Sequence, residues 1–325
     1  MHTLTHLSDF DRRVSSFTML YSRQTMNAGI GVDCPASHGK IEMEYTEIPI
    51  ALDGAITMRT RLYRGGAKTP VVCIPGLTRN AADFADLAPN IAADGHDVLV
   101  LSLRGRGASD YDPHYLNYRP ETYRDDVLRA LDHMSWDSAI FIGTSLGGIV
   151  TMLTAQTHGT RIRAGVLNDI GPEVAAAGIA RIIGYTSGGA APQSSLQEAA
   201  ECMRAVHQIS YPDASDDDWI KWAKRTFRET PEGTFILDYD PMIPRAILEG
   251  GAAADLWPGW RALAPIPTLV VRGAISDILS VEIVEKMRAE RPDFDYIEAP
   301  RIGHAPFMTE DTVWPVLRSF ISKLG

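Results

Sequence analysis

With 325 residues, 45% of them hydrophobic and 22% charged, the chain can bury a large α/β core plus an insertion, and disorder is not expected away from its ends. A net charge of −10, without a dense Lys/Arg cluster, excludes nucleic acid as a partner; the nearest approach, Arg61 to Lys68, reads as an exposed strand edge and turn. Three cysteines (Cys34, Cys73 and Cys202) give neither a disulfide framework nor a zinc spacing, no run approaches the ~18 apolar residues of a membrane span, and no export signal opens the chain. A cytoplasmic protein with no membrane, metal or nucleic-acid partner is expected.

Residues 1–40 are aperiodic and read as an N-terminal arm. Ile41 to Ile50 and Ile56 to Tyr63 alternate apolar and polar residues around the turn signal Asp53-Gly54, which predicts an antiparallel hairpin. From Val71 the pattern changes to short buried strands alternating with amphipathic helices, the signature of a mostly parallel sheet covered on both faces. Val71 to Pro75 is a strand, followed by Pro75-Gly76-Leu77-Thr78 and a helix capped by Asn80 and running to about Ala93. Asp97 to Leu103 is the next strand, then comes the turn Arg104-Gly-Arg-Gly-Ala-Ser-Asp110. A helix from about Glu121 carries Tyr123, Val127, Leu131 and Met134 on one face. Ala164 to Asn168 is a further strand, after which the alternation stops. Residues 173–260 read as successive helices without strands of matching spacing, an inserted cap, before strands resume at Pro267 to Val271 and Phe294 to Ile297 and a last helix at about Thr312 to Lys323. The core is thus 41–172 with 261–325.

The chemistry concentrates at Ala139 to Gly148. The apolar run Ala139 to Ile142 predicts a buried strand, and Leu146 to Thr157 a helix closed by Gly159, so Ser145 falls on a strand-to-helix turn. Gly143 and Gly147 flank it at two residues on either side, where strand and helix backbones must approach closely. Such a turn exposes the hydroxyl and puts the Leu146 amide at a helix N-terminus, where it can stabilise an oxyanion.

A serine nucleophile needs a base and a carboxylate that orients the base. His304, in Arg301-Ile-Gly-His-Ala-Pro306 just beyond the last predicted strand, suits the first role. Asp277, in the loop after the strand ending at Val271, is the expected acid. Asp169, at the end of the preceding strand, is the rival, its other reading being a helix N-cap. Leu77 is expected to supply the second oxyanion-hole amide.

Gly143-Thr-Ser145-Leu-Gly147, Pro75-Gly76-Leu77, Arg104-Gly-Arg-Gly-Ala-Ser109, Asp277 and His304, in that Ser, Asp, His order, resemble an α/β-hydrolase over about residues 41–325. The Arg104 turn and Asn168-Asp-Ile-Gly-Pro172 are similar to those of bacterial carboxylesterases and 3-oxoadipate enol-lactonases. The resemblance implies a cofactor-free serine hydrolase acting on a small ester or lactone through an acyl-enzyme. Many relatives have His-Gly where this chain has Pro75-Gly76, and serine at the nucleophile position sets it apart from the dehalogenase and epoxide-hydrolase branches.

Ile179, Ile182, Ile183, Tyr185, Trp219, Trp222, Phe227, Phe235 and Met242 of the insertion could wall the site with apolar surface, suiting a hydrophobic acyl or alcohol group. Two other uses fit the same residues: hydrolysis of a carbon-carbon bond with the same triad, and ligand binding by a protein that retains it.

Overall fold

The computed structural model describes residues 43–324 apart from 176–177, 179–180, 183, 185, 187–189 and 251–254. The arm expected over 1–40 lies outside the described residues.

Seven strands form the main sheet. β1 (Thr46–Ala51) and β2 (Thr57–Ile74) make the expected antiparallel hairpin, with Thr46 opposite Leu62. β3 (His96–Ser102) also pairs antiparallel with β2. β4 (Ala139–Thr144), β5 (Ile162–Asn168), β8 (Thr268–Gly273) and β9 (Asp295–Ala299) then continue in parallel from the end of β2, giving the order β1-β2-β4-β5-β8-β9 with β3 against β2. Successive residues of a strand face opposite sides. Val72, Ile74, Leu99, Leu101, Phe141 and Leu167 therefore enter one apolar cluster, while their neighbours Val71, Cys73, Val98, Val100, Ile140 and Val166 enter another. Both faces of β4 are buried, which is why its sequence reads as an unbroken apolar run.

The second cluster is closed by α1 (Leu87–Ala93) and α9 (Trp314–Ser322). The first is closed by α2 (Pro120–His133), α3 (Leu146–His158), α7 (Trp257–Ala262) and α8 (Val281–Glu290). Asn80 caps as expected, its side-chain oxygen receiving the Ala82 amide at 2.9 Å, although the first turn is 3-10 helix before α1 begins.

One expectation fails locally. The hairpin strand and the strand at Val71 are one 18-residue strand, β2, because Gly65 lets the chain pass against the backbone of Ala92 and His96, where a Cβ would meet both carbonyl oxygens at 2.3 Å. The insertion adds no strand to the main sheet but carries a short hairpin of its own. Between β5 and β8, α4 (Leu196–His207) and α5 (Asp216–Thr226) are followed by a hairpin, β6 (Phe227–Glu229) and β7 (Phe235–Leu237), and then by α6 (Met242–Glu249). Ala199, Met203, Trp219, Trp222, Ala223 and Phe227 form a third cluster of their own, whereas Ile243 of α6 and Trp260 of α7 join the cluster under the sheet. No helix among the described residues is long and apolar enough to cross a membrane.

Candidate active site

β4 delivers Ser145 to the carboxyl edge of the sheet, and α3 leaves immediately. The serine takes φ 53° and ψ −113°, a sparsely populated conformation for a side-chain-bearing residue that costs about 1–3 kcal/mol. Its surroundings enforce it. A Cβ on Gly143 would lie 2.3 Å from the Gly147 backbone, and one on Gly147 would lie 2.1 Å from the Ile74 carbonyl oxygen, so larger residues would push strand and helix apart. The Ser145 amide donates to the Asn168 carbonyl at 3.0 Å, tying the turn to the end of β5.

His304 lies within reach of both partners it needs. Its Nε2 is 2.9 Å from Ser145 Oγ, and its Nδ1 is 2.7 Å from Asp169 Oδ2. A carboxylate on Nδ1 keeps the proton there, which leaves Nε2 free to accept from the serine hydroxyl. Asp169 is fully buried, and two further donors hold its charge: the Gly273 amide to Oδ1 at 2.8 Å and the Ser276 hydroxyl to Oδ2 at 2.6 Å. The connections after β8 and β9 thus converge on one carboxylate.

The acid expected from the sequence, Asp277, is not the one on the imidazole. Its carboxylate receives both Nε and Nη2 of Arg181, at 2.5 and 2.7 Å, and that guanidinium holds it below the usual carboxylate range. The reason is local. Asp277 stands four residues beyond β8, where the inserted segment crosses so closely that a Cβ on Gly178 would be 2.5 Å from the Asp277 carbonyl oxygen, and Arg181 reaches it from there. Asp169 follows β5 directly, with φ 56°, a left-handed conformation that aspartate tolerates better than most residues. Its alternative reading as a helix cap also fails, since its side-chain partners are Gly273, Ser276 and His304.

The two expected oxyanion donors flank the serine. Leu146 opens α3, where first-turn amides lack intrahelical partners. Gly76 passes so near that a Cβ there would sit 3.8 Å from Ser145 Cβ, and Leu77 lines the cavity above the serine. The Gly76 carbonyl, in the same planar peptide as the Leu77 N–H, accepts from the Arg79 amide at 3.2 Å, which fixes that N–H on the opposite edge, and the Leu77 carbonyl accepts from Arg106 Nε at 2.9 Å. Arg106 is fully buried, donating also to the Arg104 carbonyl and Tyr123 hydroxyl at 2.7 and 2.8 Å. Sequence reading registered the Arg104 turn without a role for Arg106. The available signal was a second arginine between two glycines in the turn just beyond a buried strand.

Above the serine is a cavity of about 320 Å³. Ile182, Trp219, Trp222 and Phe227 line it as expected; Phe235 packs in the insertion's cluster and Met242 against the sheet cluster, and Ile179, Ile183 and Tyr185 lie outside the described residues. The sequence did not single out Tyr211 and Phe307, which complete the aromatic wall: Trp222 and Phe307 stack with centroids 4.9 Å apart, and Tyr211 packs against both. The Tyr211 hydroxyl also receives the Ala305 amide at 3.0 Å and donates to the Ala305 carbonyl at 2.8 Å, next to the histidine. His207 lines the same cavity. Burial, helped by the charges of Arg79 and Arg181, lowers its pKa to about 3 and keeps it neutral. Asn168 braces the floor, donating to Thr144 Oγ1 at 3.0 Å and to the Pro306 carbonyl at 2.7 Å. Among the described residues, no three His, Cys, Asp or Glu side chains converge as metal ligands.

With that geometry in place, comparison with known proteins defines the class. Residues 69–185 match the profile of the alpha/beta hydrolase fold. A 3-hydroxybutyrate-oligomer hydrolase from Cupriavidus necator is 30% identical over 248 residues, covering 73% of this chain and 82% of that protein. A 2-(acetamidomethylene)succinate hydrolase from Mesorhizobium japonicum is 24% identical, covering 77% and 86%. The crystal structure of an alpha/beta hydrolase from Novosphingobium aromaticivorans superposes with a TM-score of 0.81 at 38% identity, covering 87% of this chain and 99% of that one. The chain belongs to the α/β-hydrolase superfamily and is a hydrolase.

Proposed function

We propose that the protein is a serine esterase, hydrolysing a small, fairly hydrophobic carboxylic ester through an acyl-enzyme on Ser145. The observation that carries the reading is the unbroken chain from Ser145 Oγ through His304 to Asp169 at 2.9 and 2.7 Å. In the first step His304 Nε2 takes the hydroxyl proton as Oγ attacks the acyl carbon. The negative charge that develops on the carbonyl oxygen is met by the Leu77 and Leu146 amides. Asp169 holds the Nδ1–H tautomer and balances the imidazolium, which then protonates the departing alkoxide. Water, deprotonated by the same histidine, releases the acid and restores the serine.

The substrate class follows from the wall. A cavity of about 320 Å³ faced by Trp222, Phe307, Tyr211 and Met203 accommodates a short acyl or alcohol chain, with the segment that carries α4, α5 and the β6–β7 hairpin acting as its cap. The similarity to a hydrolase of 3-hydroxybutyrate oligomers favours esters of short hydroxy acids among the substrates that would fit.

The test is turnover of p-nitrophenyl butyrate and of linear 3-hydroxybutyrate dimer by the wild-type chain and by Ser145→Ala. Removal of the activated nucleophile lowers kcat by at least ~10³ in a chain that remains folded by circular dichroism, and an organophosphate adds a single mass to Ser145 in the wild type. A near-active Ser145→Ala protein, or labelling elsewhere, overturns the assignment. Inert esters together with rapid cleavage of a coloured dienone substrate would move the reaction to carbon-carbon bonds.

A further inference from the structure

A second cavity, of about 340 Å³, shares no lining residue with the one above Ser145. It lies between the β1–β2 edge, the turn after β3 and the end of α5, and its charged lining is unbalanced. Arg59, Arg61, Lys224, Arg225 and Arg228 face only Glu47 and Asp238, five cations against two anions in a chain whose net charge is −10.

The local partners do not cancel this excess. Arg225 is committed to Asp86 at 2.6 Å, outside the cavity, and its Nη1 is buried without a partner among the described residues. Arg228 stands 3.8 Å from Asp238, whose other oxygen receives Asn80 Nδ2 at 2.9 Å. Arg61 lies over the Tyr45 ring at 4.6 Å. Among the described residues, the Arg59 guanidinium and the Lys224 ammonium have no ion pair. Gathering like charges in a concavity opposes folding, and their summed positive field favours whatever anion enters. Guanidinium forks match the paired oxygens of a phosphoryl group, and the volume accommodates more than one such group.

We propose that this cavity is a binding site for a small polyanion of the phosphate type, a phosphate ester or pyrophosphate, held by Arg59, Arg61, Lys224 and Arg228. The site is separate from the hydrolytic one and stands or falls independently of the esterase reading.

Isothermal titration of the full chain with inorganic pyrophosphate tests it, with citrate as a non-phosphate polyanion. Wild type binds with Kd below ~1 mM at low salt, and the affinity falls as salt is raised because the contacts are largely exposed to solvent. Arg59→Ala and Arg228→Ala each weaken binding by about tenfold or more, while p-nitrophenyl butyrate turnover and melting temperature stay at wild-type values, since neither side chain lines the Ser145 cavity. Absence of binding up to ~10 mM pyrophosphate, equal affinity in both variants, or equal affinity for citrate overturns the proposal.

Discussion

Asp169 and Asp277 are the same residue type, each beyond the carboxyl end of one of two adjacent parallel strands, β5 and β8, yet they do different things. Asp169 is completely buried, and three donors from two loops, one of them the imidazole, meet its two oxygens. Asp277 is a third exposed and given over to one arginine. The difference shows that a strand end supplies a place for an acid, while the role is set by which neighbours reach that place. Asp169 has a full set of donors, and one of them is His304.

The sharpest way to break this contrast is to exchange each carboxylate for its amide. Asp169→Asn lowers kcat by a factor on the order of 10² to 10⁴, because an amide no longer selects the Nδ1–H tautomer, whereas Asp277→Asn changes kcat by no more than about threefold. Steady-state rates beside melting curves decide it, and a collapse confined to Asp277→Asn would reverse the roles. A smaller effect is expected at Ser276, whose hydroxyl shares Asp169 Oδ2 with the histidine. Ser276→Ala lowers kcat by about tenfold with little change in KM, the size expected for one lost hydrogen bond to a charged group. Equal losses in kcat and in thermal stability, rescued by neither Thr nor Cys, would make the serine merely structural.

The Arg181 pair is read out by stability in acid. Its pull keeps the folded Asp277 pKa below the ordinary value, so the stabilisation is complete above the unfolded pKa and disappears as pH falls through the folded one. Arg181→Ala should therefore lose little stability at the acid end and more near neutrality, seen as converging melting temperatures below about pH 4. His207 gives a second signal of the same sign. Its folded pKa of about 3 lies under the unfolded value of 6.5, so the unfolded chain binds the extra proton and stability declines as pH falls from 6.5 toward 3. His207→Gln flattens the part of that slope due to this residue; an unchanged slope would place the group in solvent.

Much of this arrangement could be read from sequence because it is local. Gly143, Ser145 and Gly147 sit within five residues, and their spacing alone implies a strand meeting a helix. Strand periodicity located the hairpin and the parallel strands for the same reason. The acid could not be read this way, because Arg181 lies 96 residues from the carboxylate it captures and nothing local to Asp277 announces that. The conformation at Asp169 was closer to legible: Asn168-Asp169 at a strand end are the two residue types that best tolerate a left-handed turn. The β6–β7 hairpin carried a signal too, since Gly233, at φ 79°, lies between two Phe-led stretches. It was masked by the helical spacing of Trp219 and Trp222 just before it.

The paired hydrogen bonds from the Tyr211 hydroxyl to Ala305, together with the Gly303 amide donating to the Ser210 carbonyl at 2.7 Å, clamp the segment after α4 to the loop that bears His304. Any outward displacement of residues 207–211 must break those bonds or drag the histidine loop along, and in the second case the imidazole parts from the serine. The wall of the cavity and the loop of the proposed base are thus tied into one mechanical unit, so that the position of the imidazole over Ser145 depends on the seating of the segment above it.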